Sequence, residues 1–345
     1  MQLIECVPNF SEGRDRQAID RIAAAAAEAQ DALVLHTDMG ADANRTVMTL
    51  VGTPAGVADA AYRAVAAASK IIDMTAHSGA HPRIGASDVC PLIPLSGASL
   101  ETCIELAASL GERIGERLGI PVYLYGRAAQ RPDRMQLRAV REGEYEALPN
   151  RLKSKNGRPD FGPSRFNARS GATAVGAREL LIAFNVNLST DDPGIARDIA
   201  RDLRAGQSAP GGGSLPLMPA FRTLGWTMPT YGCAQVSMNL VNFRMLPPHA
   251  ALEAVRTQAL ARGVTVTGSE LVGMTPLAAI LSAGEFYRSQ AGLGETTEED
   301  ELIQAAIDGL GLASVRPFEP EEQILEYALR RAGEPWAAAA REIRL

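Results

Sequence analysis

Two stretches of this chain carry the same succession of apolar runs and turn signals, in the same order. In the first, Leu3 to Pro8 is a short apolar run bounded by Pro8-Asn9 and reads as a strand. Asp15 to Gln30 is alanine-rich, with Ile19 and Ile22 at helical spacing, and reads as a helix. Strands are expected at Leu33 to His36 and Thr46 to Val51, with the turn-prone Asp38-Met39-Gly40-Ala41-Asp42 after the first. Pro54 opens a helix over Ala55 to Ser69, and Val89 to Leu95 supplies a fourth strand. The second stretch repeats the series: strand Leu180 to Leu188, helix Pro193 to Arg204, strands Phe221 to Met228 and Gln235 to Phe243, helix His249 to Arg262, strand Val264 to Thr267. An order of β-α-β-β-α-β in each is the ferredoxin-like arrangement. The expected fold class is therefore α+β, with two ferredoxin-like subdomains. The copies share little residue identity. Thr46-Val47-Met48-Thr49-Leu50-Val51 against Val236-Ser237-Met238-Asn239-Leu240-Val241 is the one suggestive pairing.

Between the copies lie an expected helix (Leu100 to Leu118), a strand (Val122 to Tyr125) and a polar stretch with proline and glycine from Pro149 to Ala177. That stretch is the expected boundary, giving subdomains 1–178 and 179–330 and a tail at 331–345. From Thr297 onward two amphipathic helices are expected, with Glu298-Glu299-Asp300-Glu301 as a solvated helix start. The segment Gly206 to Pro219 holds Gly211-Gly212-Gly213 but no lysine, so it is not a Walker loop. It reads as a mobile surface loop or lid.

The net charge of −6 gives no global attraction to nucleic acid or to an anionic membrane. No apolar run approaches the roughly 20 residues that span a bilayer. Met1-Gln2-Leu3-Ile4-Glu5 reads as a first strand rather than a signal peptide. Cys6, Cys90, Cys103 and Cys233 lack metal or redox spacing, which fits reduced thiols. A cytoplasmic protein is expected, with neither nucleic acid nor membrane as partner.

Two of the four histidines fall in His77-Ser78-Gly79-Ala80-His81-Pro82-Arg83. Their spacing would suit a zinc site on a helix, but Gly79 and Pro82 disfavour a helix and no metal is expected. A loop with two imidazoles, Arg83 and the nearby acids Asp73 and Asp88 suits acid/base work instead, because imidazole titrates nearest neutrality. The alternative is a pair of plain surface residues. Asp38 and Asn44, in the turn that ends at Asn44-Arg45-Thr46, are either turn formers or site residues. Pro8-Asn9-Phe10-Ser11-Glu12-Gly13 reads as a helix-start turn with Ser11 as cap, at a strand end where ligand loops gather. From Arg151 to Arg178 there are seven basic residues and one acid, Asp160. This surplus suits either a solubilising linker or a docking strip for a polycarboxylate.

At these same segments the chain is similar to the formiminotransferase family, which includes the transferase part of bifunctional formiminotransferase-cyclodeaminase. The matching residues are Glu5-Cys6-Val7-Pro8-Asn9-Phe10-Ser11-Glu12-Gly13, Asn44-Arg45-Thr46-Val47, His81-Pro82-Arg83-Ile84-Gly85-Ala86 and Asp88-Val89-Cys90-Pro91. Further matches are Pro121 to Gly126, Gly143-Glu144-Tyr145-Glu146, Pro159 to Pro163 and Leu181 to Leu188.

The resemblance implies two ferredoxin-like subdomains with a ligand groove between them that holds folate. It places the catalytic histidine at His81, with Asp38 as its expected partner, orienting the imidazole or stabilising a cationic amidinium. Asn9, Asn44, Arg45 and Arg83 are the expected substrate contacts. Gly162, Pro163, Ser164, Arg165, Phe166, Asn167, Ala168, Arg169, Ser170 and Gly171 form the segment implied to contact folate. The implied reaction moves a formimino group from N-formimino-L-glutamate to N5 of tetrahydrofolate, which serves as co-substrate. A homodimer is the expected assembly. The chain departs from the animal pattern at 206–219 and lacks the cyclodeaminase part, so a separate enzyme is expected to close the product's ring. A folate carrier without turnover, or transfer using another amino acid, stays open as an alternative reading.

Overall fold

The computed structural model describes residues 1–209, 212–214 and 221–343. It divides into two compact units, residues 1–179 together with 341–343, and Leu180–Ala340.

The first unit opens with β1 (Leu3–Cys6) and β2 (Asn9–Phe10), one strand interrupted at Val7-Pro8. There follow α1 (Arg16–Ala27), β3 (Ala32–Gly40), β4 (Arg45–Gly52), α2 (Pro54–Ile71) and β5 (Ser87–Ser96). Next come α3 (Leu100–Leu118), β6 (Val122–Gly126), the short helices α4 (Leu137–Val140) and α5 (Glu144–Arg151), and β7 (Thr173–Ala177). β4 pairs antiparallel with β3 on one side and with the β1–β2 strand on the other, and β5 closes the set. That order, with every neighbour antiparallel, is the ferredoxin-like sheet. β7 and β6 then extend it in parallel beyond β5.

Local chemistry explains the helices. Asp15 caps α1 by accepting from Ala18 N at 3.1 Å, and Thr53 caps α2 just ahead of Pro54. Ser11 is not the cap that its position suggests; its hydroxyl donates to the Gly85 carbonyl at 2.7 Å. α1, α2 and α3 pack small residues (Ala60, Ala61, Ala64, Ala68, Ala107) against Ile4, Phe10, Met48, Leu50 and Leu92, forming the main core. A second, smaller core lies around Ile84, Val89, Tyr123, Val140 and Leu148.

Three readings need correction here. Asp38 lies inside β3 rather than in the turn, because β3 runs to Gly40 and pairs Asp38 with Val47. The stretch 149–177 is not a linker. Its end is β7, buried throughout between β5 and β6, and Asp160 forms a buried ion pair with Arg134 at 2.7 Å. The tail is not two helices, as described next.

The second unit runs β8 (Ile182–Leu188), α6 (Pro193–Arg204), a ribbon of β9 (Gln207–Ala209) and β10 (Gly212–Ser214), β11 (Phe221–Met228), β12 (Cys233–Leu240), α7 (Pro248–Leu260) and β13 (Val266–Val272). Its sheet order is β11-β12-β8-β13, all antiparallel, so the strand order of the first unit recurs. The described part of the expected lid is the β9–β10 ribbon, and the rest lies outside the described residues. Among the described residues five further helices follow: α8 (Leu277–Gln290), α9 (Glu299–Leu310), α10 (Pro320–Gln323), α11 (Leu325–Arg331) and α12 (Trp336–Ala340). Gly311, at φ 66°, ends α9, which is why the periodic pattern breaks into short helices.

The sheets also alternate as pleating demands. In the second, Phe184, Val186 and Leu188 are buried on one face and Asn185 and Asn187 project from the other. On that polar face Gln235 donates to Asn187 Oδ1 at 2.8 Å and to Glu270 Oε1 at 2.9 Å, and Trp226 Nε1 donates to Gln235 at 2.8 Å. Burial of these polar groups is tolerated because they satisfy one another.

Candidate active site

The loop 72–86 between α2 and β5 carries no helix, as Gly79 and Pro82 foretell. His81 Nδ1 lies 2.8 Å from the Pro82 carbonyl. Nδ1 therefore carries the proton, and the lone pair sits on Nε2. The ring is half-buried, and its pKa lies well below the ordinary histidine value. Burial is the main cause, with the positive charges of Arg45 and Arg141 next and Asp88 opposing them. His81 is thus a neutral imidazole at pH 7.

Those charges form one cluster. Asp88, at the start of β5, is fully buried, and its Oδ2 meets Arg45 Nη2 at 2.7 Å and also Arg141 Nη2. Its Oδ1 accepts from the Ile84 N–H at 2.9 Å. Burial alone would raise the Asp88 pKa, but Arg141 and Arg45 hold it well below the usual carboxylate range. Arg45, at the start of β4, is lowered to about 10 by burial against the support of Asp88. Its Nε donates to Asn9 Oδ1 at 3.0 Å.

Asn44 takes a left-handed conformation, φ 46°, which asparagine tolerates better than most residues. Its side chain accepts from Gly13 N and donates to the Ser78 carbonyl, both at 2.9 Å. It therefore ties the N-terminal loop to the histidine loop. Asp38, Val47 and Asn9 lie opposite one another across β3, β4 and β2, so all three side chains leave the same face. Asp38 is buried there.

Arg83 meets two glutamates: Nη1 lies 3.0 Å from Glu144, and Nη2 lies 2.6 Å from Glu146. Its Nε donates to His77 Nδ1 at 3.3 Å, while His77 Nε2 donates to the Asn44 carbonyl at 2.9 Å. Both nitrogens of His77 are thus committed to protein partners, and Arg83 is a fully engaged fork. A cavity of about 490 Å³ opens here, lined by His77, Ser78, Gly79, Arg83, Gly143, Glu144 and Glu146.

The segment 162–171 is stitched to the histidine loop. Ala86 N donates to Ser170 O, Ala172 N to Ile84 O and Met74 N to Arg169 O, each at 2.9 Å. Gly171 has φ 66°, and a Cβ there would lie 2.3 Å from the Ile84 carbonyl, so only glycine lets the two backbones meet. Gly162, at φ 78°, is similarly pressed on Ile120. Ser164, Arg165 and Ala168 are exposed, while Phe166 packs its ring 5.4 Å from Tyr145. Asn167 accepts from Ser170 N at 3.0 Å. The basic surplus is divided in use. Lys153, Lys155, Arg158 and Arg165 are exposed, Arg151 stacks 4.4 Å from the Tyr123 ring, and Arg169 lies 3.6 Å from Asp73.

Sequence reasoning had noted Asp88 only as a nearby acid and had missed Arg141, Glu144 and Glu146 as site groups. The only signal in the chain was that Gly143 to Glu146 and Asp88 fall in matching segments of the resemblance.

Fold and site together define an α+β protein in which a loop with a neutral histidine accompanies a buried cluster of two arginines on one aspartate. Residues 3–178 match the family described as the N-terminal subdomain of the formiminotransferase domain, and residues 183–330 match the formiminotransferase domain itself. The chain belongs to the formiminotransferase family. It is 45% identical over 336 residues to formimidoyltransferase-cyclodeaminase of Mus musculus, covering 96% of this chain and 61% of that protein. With glutamate formimidoyltransferase of Thermoplasma acidophilum it shares 44% identity over 297 residues, 86% of this chain and 95% of the relative. With that of Streptococcus pyogenes the figures are 40% over 286 residues, 83% and 93%. The chain thus spans less than two thirds of the bifunctional mouse protein.

Proposed function

We propose that this protein transfers the formimino group of N-formimino-L-glutamate to N5 of tetrahydrofolate, releasing L-glutamate. The observation that carries the reading is His81, a neutral imidazole whose Nδ1–H is held by the Pro82 carbonyl and which feels the charges of Arg45, Arg141 and Asp88. Family membership and the identity to two proteins named glutamate formimidoyltransferase support the choice of substrates.

The chemistry requires N5 to attack the amidine carbon, giving a tetrahedral intermediate that expels the glutamate amine. N5 must lose a proton and the leaving nitrogen must gain one. His81 Nε2 accepts the first and returns it to the second, a contribution of about 10²–10⁴-fold. Holding the two substrates together contributes more. Because Pro82 already orients the imidazole, Asp38 takes the other expected role, balancing positive charge on the amidine. Asn9 and Asn44 set the walls of the site, and Arg45 faces substrate carboxylate. Arg83, already held by Glu144 and Glu146, shapes the cavity edge. The segment 162–171 offers exposed backbone and Arg165 to the folate. We further propose a cytoplasmic homodimer, which sedimentation of the purified protein would test.

The deciding experiment incubates the protein with tetrahydrofolate and, separately, formiminoglutamate, formiminoglycine or 5-formyltetrahydrofolate plus glutamate. Release of glutamate matched by 5-formiminotetrahydrofolate supports the reading. Turnover with formiminoglycine alone, or tight folate binding without any turnover, overturns it.

A further inference from the structure

Arg141 belongs to no segment that the sequence singled out, yet it shares the fully buried Asp88 with Arg45. Two guanidiniums on one carboxylate leave a surplus positive charge. Arg45 is buried and Arg141 is only 14% exposed at its side chain, so water screens that surplus weakly. The other charges nearby are spoken for: Glu144 and Glu146 pair with Arg83 and are 41% and 63% exposed. Asp38 leaves the same face of the sheet as Arg45, and the charged groups that act most on Arg45 are Asp88 and Arg141. A buried cation surplus is costly unless an anion completes it. His81 feels the charges of Arg45, Arg141 and Asp88.

We propose that Arg141 and Arg45, held as a pair by Asp88, form a carboxylate-binding site for the amino-acid substrate, so that Arg141 is a further substrate-binding residue. The inference rests on the reaction proposed above. Asp88 is a positioning residue: it keeps the two forks apart by a fixed distance and leaves them one charge short of neutrality. A substrate carboxylate supplies that charge through charge-assisted hydrogen bonds. It also anchors the donor so that its amidine carbon lies next to the His81 imidazole. Binding of the carboxylate offsets the arginines' share of the effect on His81, with burial still the larger cause, so the imidazole becomes a somewhat stronger base once the donor is in place.

The test uses the full chain with Arg141→Met. Loss of Arg141 leaves a neutral Arg45–Asp88 pair that has no call for an anion. KM for formiminoglutamate should rise about tenfold to a hundredfold, while KM for tetrahydrofolate stays within about twofold. The wild-type preference for formiminoglutamate over formiminoglutamine, or over the analogue amidated at its α-carboxyl, should shrink to the same degree for one of the two. Arg141→Lys should recover part of the lost affinity, since it restores the charge without the fork. If Arg141→Met does not fold, Arg141→Gln carries the same expectations. A rise in KM for tetrahydrofolate instead, equal loss for formiminoglutamate and both amides, or no change in either KM overturns the proposal. Absence of transfer in the wild type would instead refute the reaction itself.

Discussion

Arg45, at the start of β4, places its Nη2 2.7 Å from Oδ2 of Asp88 in β5, reaching past the intervening β1–β2 strand. The two strands meet the same neighbour, so the pair locks one end of the sheet. Its members are 6% and 0% exposed, and the Ile84 N–H completes the carboxylate from the histidine loop.

Asp88→Asn should therefore be severe. Removing one partner of a buried charge pair costs about 3–5 kcal/mol, and here it strands two guanidiniums. Urea unfolding should show the first unit losing that much stability. A loss under about 1 kcal/mol would mean that the cluster is not what holds this end together.

His81→Ala should lower turnover by about 10²-fold or more with folate affinity nearly unchanged. The thermal midpoint should move little, because a half-buried loop side chain contributes little packing. Steady-state kinetics and ligand titration on the same preparation check both halves. A fall in turnover of less than about threefold removes His81 from the mechanism.

The pH dependence follows from the lowered pKa of His81. The working form is neutral, so kcat/KM should stay level as pH falls through about 6.5 and decline only below it. Stability has a definite sign too. Below about 6.5 the unfolded chain binds a proton at this site that the native chain refuses, so acidification destabilises the fold. A kcat/KM limb at 6.5 or above would contradict the neutral imidazole.

Gly171→Ala and Gly119→Ala form a matched pair, since both glycines have positive φ, 66° and 64°. At Gly119 a Cβ meets nothing within 4 Å, so the cost is the conformational one, about 1–2 kcal/mol. At Gly171 the Cβ would lie 2.3 Å from the Ile84 carbonyl, adding a clash that parts 162–171 from the histidine loop. Gly171→Ala should then lose both more stability and folate affinity, whereas Gly119→Ala keeps its affinity. Equal behaviour in denaturation and folate titration would show that this junction has no part in the site.

Lys153 and Lys155 are exposed, as are Arg158 and Arg165, so the basic strip is free to meet a flexible polyanion. Folates with longer glutamate tails should bind more tightly, with the advantage shrinking as salt rises, because screening acts over about 10 Å at 0.1 M. Lys153→Ala with Lys155→Ala should narrow the gap between long and short tails and leave turnover nearly unchanged. Dissociation constants for each tail length at low and high salt decide it. Equal affinity for all lengths in the wild type would reduce these lysines to solvated surface.

The sequence by itself determined the local elements and their order. Caps such as Asp15 and Thr53, the proline at the head of α2, and the period of apolar residues act within a few positions, so they can be read without the fold. The duplicated strand order followed from the same signals, and so did the histidine loop, because Gly79 and Pro82 deny it a helix. Only the tertiary structure decided which charges meet. Arg141 lies 53 residues from Asp88, and Glu144 lies 61 from Arg83. No local pattern announces such pairs, since they depend on how the sheet brings distant chain ends together. The same holds for Asp38, which local propensity assigns to a turn and strand pairing with β4 draws into the sheet. Where a group's partners are near in the chain, propensity and spacing reveal them. Where they are far, burial and the register of the strands select them, and those exist only once the chain has folded.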